Sequence, residues 1–391
     1  MAKPTREQHF DPAHGPKRIL SLDGGGIRGV LTLEFLEVIE AKLRARHGDD
    51  GLLLYEYFDL IGGTSTGSII AAGLACGMTV AELKTLYHGI GASVFKPSGN
   101  FVSRLFNKLT HSKLEGIFSP KFPPEPLLAA LDDRLGADTT LSSNEVKTGL
   151  MIMTKRLDTG SPWPLTNCPG ARYAAQDGAL KLTQVVRAST AAPTYFEPEE
   201  IKISSRDGSV VEGVFVDGGV SPFNDPALQL LMLAALQGHG FKWRTGKDEL
   251  LLISIGTGAY KEPFSPQKFA AGQGLSALKS LMDDCARTNH GLLQWLTHCL
   301  TPWIIDRAVG DMKLDSEAGP QLATYARYNA SLDAKWLKGE LDIDATPEKL
   351  AQISQMDNPA NMDELAAIAR EAAKKQVLDS HLPSAFDIPA L

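Results

Sequence analysis

Short uninterrupted apolar runs alternate along the chain with longer stretches whose apolar residues have helical spacing. The uninterrupted runs predict buried strands at 17–23, up to Ile61, at 149–154, at 211–217 and at 249–258. The stretches of helical spacing predict helices at 30–47, 68–76, 182–188 and 228–236. Strands that alternate with helices favour a mainly parallel sheet between helical layers, so the sequence predicts a three-layer α/β/α sandwich.

The same pattern divides the chain into three predicted parts. Residues 1–16 are polar and predict a flexible leader. Residues 17–263 carry the alternating strands and helices, and residues 264–391 are richer in helical spacing and poorer in glycine. The sequence therefore predicts an α/β domain followed by a helical C-terminal extension that packs on it and includes two charged amphipathic helices within 346–380.

Composition excludes several classes of protein. A net charge of −7 argues against nucleic acid as a partner, because no basic excess exists to neutralise phosphates. The four cysteines form no Cys-x-x-Cys pair, which argues against a zinc site. No apolar run is long enough for a membrane span, and the N-terminal residues lack the apolar core of a secretory signal. We expect a cytoplasmic protein, with at most peripheral contact at the inner membrane.

The strongest chemical signal is a Gly-x-Ser-x-Gly pentapeptide, Gly63 to Gly67, between the strand that ends at Ile61 and the helix at 68–76. A strand, a sharp turn and a helix are the surroundings that a nucleophile elbow requires. Ser65 then lies at the tip of the turn, and Gly63 and Gly67 allow the close approach of strand and helix. The competing interpretation is a glycine-rich turn with a solvated serine.

A second glycine-rich turn, Gly24 to Gly29, follows the first strand and precedes a helix, so its N–H groups can converge on an anion. Its Gly-x-Gly-x-x-Gly spacing also matches the dinucleotide fingerprint. That function requires an acidic residue at the end of a second strand about 20 residues on, where this chain has a charged helix end and a loop. A Walker lysine is absent as well. The remaining interpretation is an oxyanion hole.

A serine hydroxyl needs a base. Asp23, Ser65 and Asp217 each follow a predicted strand, and functional sites of such folds gather at the carboxyl ends of strands. Asp217 is the base in a Ser–Asp dyad or the acid of a Ser–Asp–His triad. The histidines downstream of Asp217 that the triad would use are His239, which has the best local sequence, and His290, His298 and His381.

Three ordered motifs make the chain resemble the patatin-like phospholipases: Asp23-Gly-Gly-Gly-Ile-Arg-Gly29, Gly63-Thr-Ser-Thr-Gly67 and Asp217-Gly-Gly219. The resemblance runs from about Arg18 to about Gly258. It implies the patatin-like form of the α/β/α sandwich and a Ser65–Asp217 dyad that needs no metal or cofactor. It also implies hydrolysis of phospholipid or other lipid acyl esters, with an oxyanion site formed by Gly24, Gly25, Gly26 and Arg28.

The resemblance leaves the C-terminal third unassigned. Some bacterial members of the family are effectors of anti-phage signalling that a cyclic nucleotide activates to degrade membrane phospholipid, whereas others are housekeeping lipases. A regulatory C-terminal segment would contact such an anionic activator through Arg287, Arg307, Lys313 or Arg327, and a segment that assembles the enzyme would support a homo-oligomer. The alternative class is a non-enzymatic lipid- or nucleotide-binding module that uses the glycine-rich loop alone.

Overall fold

The computed structural model describes residues 3–94, 122–193, 195–204, 209–260 and 273–389. The strands within these residues are β1 (Lys17–Leu22), β2 (Leu60–Thr64), β3 (Gly149–Arg156), β4 (Pro162–Thr166), β5 (Glu199–Ser204), β6 (Val210–Asp217), β7 (Leu250–Ile255), β8 (His298–Cys299) and β9 (Thr324–Tyr328). The α-helices are α1 (Arg6–Phe10), α2 (Gly29–His47), α3 (Leu54–Tyr57), α4 (Thr66–Ala75), α5 (Val80–Val94), α6 (Glu125–Leu131), α7 (Ala174–Gly178), α8 (Leu182–Ser189), α9 (Ala227–Ala235), α10 (Gln273–Leu296), α11 (Lys313–Glu317), α12 (Ala334–Leu341), α13 (Pro347–Ile353) and α14 (Met362–Gln376).

The described strands form one mixed sheet in the order β5-β6-β3-β2-β1-β7-β9-β8, with β4 paired to β3. Neighbouring strands from β3 through β2, β1, β7 and β9 to β8 run parallel. The pairs β3–β4, β3–β6 and β5–β6 are antiparallel. The predicted mainly parallel sheet is therefore confirmed, with antiparallel pairs at one side.

Helices cover both faces of this sheet because its central strands are apolar on both faces. Along β1, Leu20 and Leu22 belong to the core on one face, where α2, α4 and α14 pack, whereas Ile19 belongs to the core on the other, where α9 and α10 pack. This is the predicted three-layer arrangement. None of the described helices combines the length and the hydropathy needed to cross a bilayer.

Strand β3 brings the ends of β2 and β6 together. Residues 151–153 of β3 pair with both β2 and β4, so these two strands lie on opposite edges of β3. Residues 154–155 pair with both β4 and β6, so β6 lies on the same edge of β3 as β2. Thr64 pairs with Met153 and Asp217 with Thr154, which places the two carboxyl ends head to head.

The prediction of a flexible leader at 1–16 is wrong for its central part. Residues 6–10 form α1, which begins with a capping box at Thr5. His9 is fully buried, and its Nδ1 lies 2.8 Å from Asp59 Oδ1. Lys17 Nζ donates to the carbonyl oxygen of Gln8. A buried charge needs such partners, and they fasten the segment to the amino edge of the sheet.

The region from residue 264, predicted as a helical extension, holds strands as well as helices. Strands β8 and β9 come from this region and continue the sheet beyond β7, which is therefore not the last strand. Helix α14 packs on α2, where Arg370 forms an ion pair with Glu34. The two predicted helices within 346–380 are present as α13 and α14. The proposed boundary at 263/264 itself lies outside the described residues.

Candidate active site

Ser65 occupies a strained turn between β2 and α4. Its φ of 52° and ψ of −122° lie in a region that side-chain-bearing residues rarely adopt, as a nucleophile elbow requires. The flanking glycines are forced by close backbone approach: a Cβ on Gly63 would lie 2.1 Å from the carbonyl oxygen of Gly67, and one on Gly67 would lie 2.2 Å from that of Leu22. The turn presents the Ser65 hydroxyl at the amino end of α4.

The side chain of Ser65 lies close enough to the carboxylate of Asp217, at the end of β6, to lower the pKa of that carboxyl. Asp217 is 5% exposed, and Gly219 N–H donates to its Oδ1 at 2.7 Å. Burial raises the pKa of Asp217 to about 6, and the hydrogen bonds from Ser65 and Gly219 oppose that rise. The carboxylate is therefore ionised at neutral pH yet is a stronger base than an exposed one.

The glycine-rich loop after β1 passes beside Ser65. A Cβ on Gly24 would lie 3.1 Å from Ser65 Cβ. The N–H of Gly24 donates to the carbonyl oxygen of Asn224 at 3.1 Å, so this N–H is already occupied. For Gly25 and Gly26, no N–H hydrogen bond is present within the described part of the chain. Their N–H groups are the donors that this loop leaves for a bound anion.

Arg28, also expected near the oxyanion, is buried on the first turn that follows the glycines. Burial lowers its pKa to about 10, while the charges of Asp283 and Asp23 oppose the shift. Arg28 therefore stays cationic at neutral pH. Because Asp283 belongs to α10, and Met282 approaches Gly219, the segment after residue 264 lines the site.

None of the four histidines downstream of Asp217 is placed as the third member of a triad. His290 Nε2 lies 2.9 Å from Asp225 Oδ2, and His381 Nδ1 lies 3.1 Å from the hydroxyl of Tyr328. His239 is in the segment that leads into the amino end of β7, and His298 begins β8 at the same edge. That edge is opposite the carboxyl ends where Ser65 lies, so the arrangement favours the dyad.

Sequence analysis missed three residues that hold the site. Ser189 Oγ accepts the N–H of Ser65 at 2.9 Å and donates to the carbonyl oxygen of Met153. Asn224 joins the glycine loop, and Thr257 Oγ1 donates to the carbonyl oxygen of Gly24 at 2.8 Å. A signal for Thr257 existed, because it stands between two glycines at the end of β7, as Ser65 does after β2.

Arg327 was expected to be a contact for an anionic ligand, and that expectation is wrong. Its side chain is 4% exposed, and its guanidinium is paired with Asp23 and Asp225. The other three candidates for such a contact, Arg287, Arg307 and Lys313, are exposed. An anion that reaches the C-terminal segment from solvent would therefore find these three and not Arg327.

A serine in a strained turn, a buried aspartate and a glycine-rich loop meet at the carboxyl ends of an α/β sheet, an arrangement typical of esterases. The sequence profile described as patatin-like phospholipase matches residues 20–231, more than half of the chain. The chain therefore belongs to the patatin-like phospholipase family. The match includes all three motifs and leaves out β7, β9 and the residues after them.

Two bacterial relatives share 30% identity with this chain. One is a cGAMP-activated phospholipase of Escherichia coli, over 64% of this chain and 64% of that protein. The other is a cGAMP-activated phospholipase of Vibrio cholerae, over 71% of this chain and 74% of that protein. The match thus spans slightly less than two thirds of the E. coli relative. Among solved structures, human GIVD cytosolic phospholipase A2 is 10% identical, with a TM-score of 0.40 over 91% of this chain and 58% of that one.

Proposed function

We propose that this chain hydrolyses the acyl esters of phospholipids through a Ser65–Asp217 dyad. The observation that carries the proposal is the placement of a serine at positive φ beside a buried aspartate, at the carboxyl ends of β2 and β6 where these strands meet along β3. Asp217 also caps the turn that follows it, through the Gly219 N–H, but that bond engages Oδ1 and does not account for the position of the carboxylate beside Ser65. Membership of the patatin-like phospholipase family supports the same substrate class.

In the proposed reaction, Ser65 Oγ attacks the ester carbonyl carbon while its proton passes to the Asp217 carboxylate. The carbonyl oxygen becomes an oxyanion, which the N–H groups of Gly25 and Gly26 and the amino end of α4 stabilise. Collapse of this intermediate breaks the ester bond, and the leaving alkoxide takes the proton from Asp217. The acyl group stays on Ser65 Oγ as an ester. Asp217 then takes a proton from water, whose oxygen attacks the acyl carbon, and returns that proton to Ser65 Oγ as the fatty acid leaves.

Activation by a cyclic nucleotide is a second part of the proposal, carried by the two bacterial relatives that are named cGAMP-activated phospholipases. The exposed cations Arg287, Arg307 and Lys313 are candidates for contact with such an anion. Arg287 lies on α10, which also carries Met282 beside Gly219, so an anion bound at Arg287 would act on the site through this helix. A role in anti-phage signalling would follow only if activation occurs.

The test is covalent labelling with a fluorophosphonate probe, which reacts with an activated serine, in the presence and absence of cyclic nucleotides that include cGAMP. We expect wild-type protein to be labelled and Ser65→Ala to be unlabelled under every condition. Ser380→Ala is the matched control, because Ser380 is an exposed serine on the outside of α2, and its labelling should equal that of wild type.

Phospholipid vesicles then test the substrate. Release of fatty acid by wild type and not by Ser65→Ala supports the hydrolase. A rate that rises with cGAMP supports activation, and equal rates with and without every cyclic nucleotide overturn that part alone. A wild-type protein that binds vesicles, remains unlabelled and releases no fatty acid under all conditions is a non-enzymatic binding module, and the proposal then fails.

A further inference from the structure

Arg327 connects β9 to the two loops that flank Ser65. Its Nη1 donates to Asp23 Oδ1 at 2.7 Å and to Ser254 Oγ at 2.6 Å, and its Nη2 donates to Asp23 Oδ2. The same Nη1 lies 3.5 Å from Asp225 Oδ2. One planar guanidinium thus holds one carboxylate through a fork and reaches a second from the side.

The two carboxylates belong to the two segments that carry the proposed chemistry. Asp23 immediately precedes Gly24, Gly25 and Gly26, and all the side-chain hydrogen bonds it forms within the described residues come from Arg327. Asp225 follows Asn224, whose carbonyl oxygen accepts the Gly24 N–H and whose side chain lies between that loop and Gly219. Movement of either carboxylate would therefore move the oxyanion donors relative to Asp217.

We propose that Arg327 is a positioning residue that fixes the glycine loop against the Asp217 turn, although it touches neither Ser65 nor Asp217. Asp23 is buried, so losing the fork leaves its carboxylate without a partner. A lysine at this position would keep the charge but present a point donor in place of the fork. This inference rests on the proposed hydrolysis, and it assigns a role to a residue beyond the 20–231 region that defines the family.

The test compares Arg327→Lys with wild type on a soluble ester. We expect kcat to fall by about 10²-fold with KM changed less than about twofold, because misplaced donors weaken the transition state and leave substrate binding intact. The matched control is Arg370→Lys, which replaces another forked arginine that joins the C-terminal segment to α2, through Glu34, away from the site. Its kcat should equal that of wild type.

A second measurement is independent of activity. In hydrogen exchange followed by mass spectrometry, Arg327→Lys should exchange faster in peptides covering 23–29 and 218–226, and Arg370→Lys should not. If Arg327→Lys is misfolded, Ser254→Ala, which removes one bond to the guanidinium, should lower kcat several-fold at unchanged KM. Unchanged kcat and exchange in a folded Arg327→Lys overturn the inference, whereas an unlabelled, inactive wild type overturns the proposed function instead.

Discussion

Asp217 must be ionised before it can accept the proton of Ser65, and its burial determines the pH at which this happens. Because burial raises the pKa to about 6, the active form is present above that pH and is lost as the pH falls through it. We expect kcat/KM for a soluble ester to fall tenfold per pH unit below about 6 and to level off above it. A pH–rate profile of the free enzyme measures this directly.

A histidine base would give a similar profile, so the assignment needs variants. Asp217→Asn should lower kcat by roughly 10²–10⁴-fold, because an amide cannot accept the proton. His239→Ala should retain both the rate and the profile. The midpoint should also shift little on warming, since carboxyl ionisation depends less on temperature than imidazole ionisation does. A large loss in a folded His239→Ala would replace the dyad with a triad.

At the residue scale, the sequence identifies residues that must be glycine or that stand at strand ends. Gly63, Ser65 and Asp217 were recognised in this way. Arg327 was not assigned its position, because a buried arginine has no distinctive local sequence, and Ser189 was assigned no contact with Ser65. Their importance arises from partners that are distant along the chain, such as Asp23 for Arg327.

The glycine loop after β1 is held by contacts on several sides. Thr257 fixes the carbonyl oxygen of Gly24, the N–H of Ile27 donates to the carbonyl oxygen of Met356, and the Tyr87 hydroxyl donates to that of Gly26. Two of these bonds occupy carbonyl groups of the loop, and the third occupies the N–H of Ile27. The loop can therefore aim the N–H groups of Gly25 and Gly26 at a ligand without having to reorganise.

The Gly25→Ala variant tests the role of the glycine loop after β1. A Cβ at Gly25 would lie 2.1 Å from Thr257 Oγ1 and 2.4 Å from Thr257 Cβ, so the loop must move. Removing one oxyanion donor lowers kcat by roughly 10²–10³-fold, and we expect a loss in that range with KM nearly unchanged. Steady-state kinetics on a soluble ester provide both constants.

The control is Gly89→Ala in α5, where an added Cβ meets nothing within 4 Å and alanine favours the helix. Its kcat and KM should match those of wild type. If Gly25→Ala raises KM and leaves kcat intact, the loop contacts the lipid headgroup and not the oxyanion.

Element positions were predictable from hydrophobic pattern, but strand direction was not. The run at 211–217 indicates a buried strand in either orientation, and the sequence analysis treated it as part of a mainly parallel sheet. In the structure β6 is antiparallel to β3. β6 nevertheless ends where β2 ends along β3, which brings Asp217 and the turn that carries Ser65 to the same place in the sheet.

At the scale of the whole molecule, the C-terminal residues complete the sheet and its core. Tyr325 and Tyr328 of β9 are buried on opposite faces, and α14 contributes Leu365 and Ile368 to the same core as α2. The sequence did not predict β9 because its five residues include an arginine and no long apolar run. A strand this short forms because β7 provides a hydrogen-bonding partner.

We therefore expect the described chain to unfold as one unit. The five tryptophans allow a test, since Trp243 reports on the part before residue 264 and Trp336 on the part after it. Two variants are needed, one with Trp243 and the other with Trp336 as its single tryptophan. In both, urea unfolding followed by tryptophan fluorescence and by circular dichroism should give coincident midpoints. A Trp336 transition at lower urea than the Trp243 transition would mean that the extension unfolds separately.

Because β2 and β6 meet head to head along β3, the distance between the two reacting groups does not depend on how many residues separate them in the sequence. Ser65 and Asp217 are more than 150 positions apart in the sequence. Their spacing in the structure is set by Met153 and Thr154, adjacent residues of β3 that pair with the ends of β2 and β6. A strand rises about 3.3 Å per residue. Insertions between the two residues can therefore vary without displacing the reacting groups. A shift of β6 by one residue in its register with β3, however, would turn Asp217 to the opposite face of the sheet.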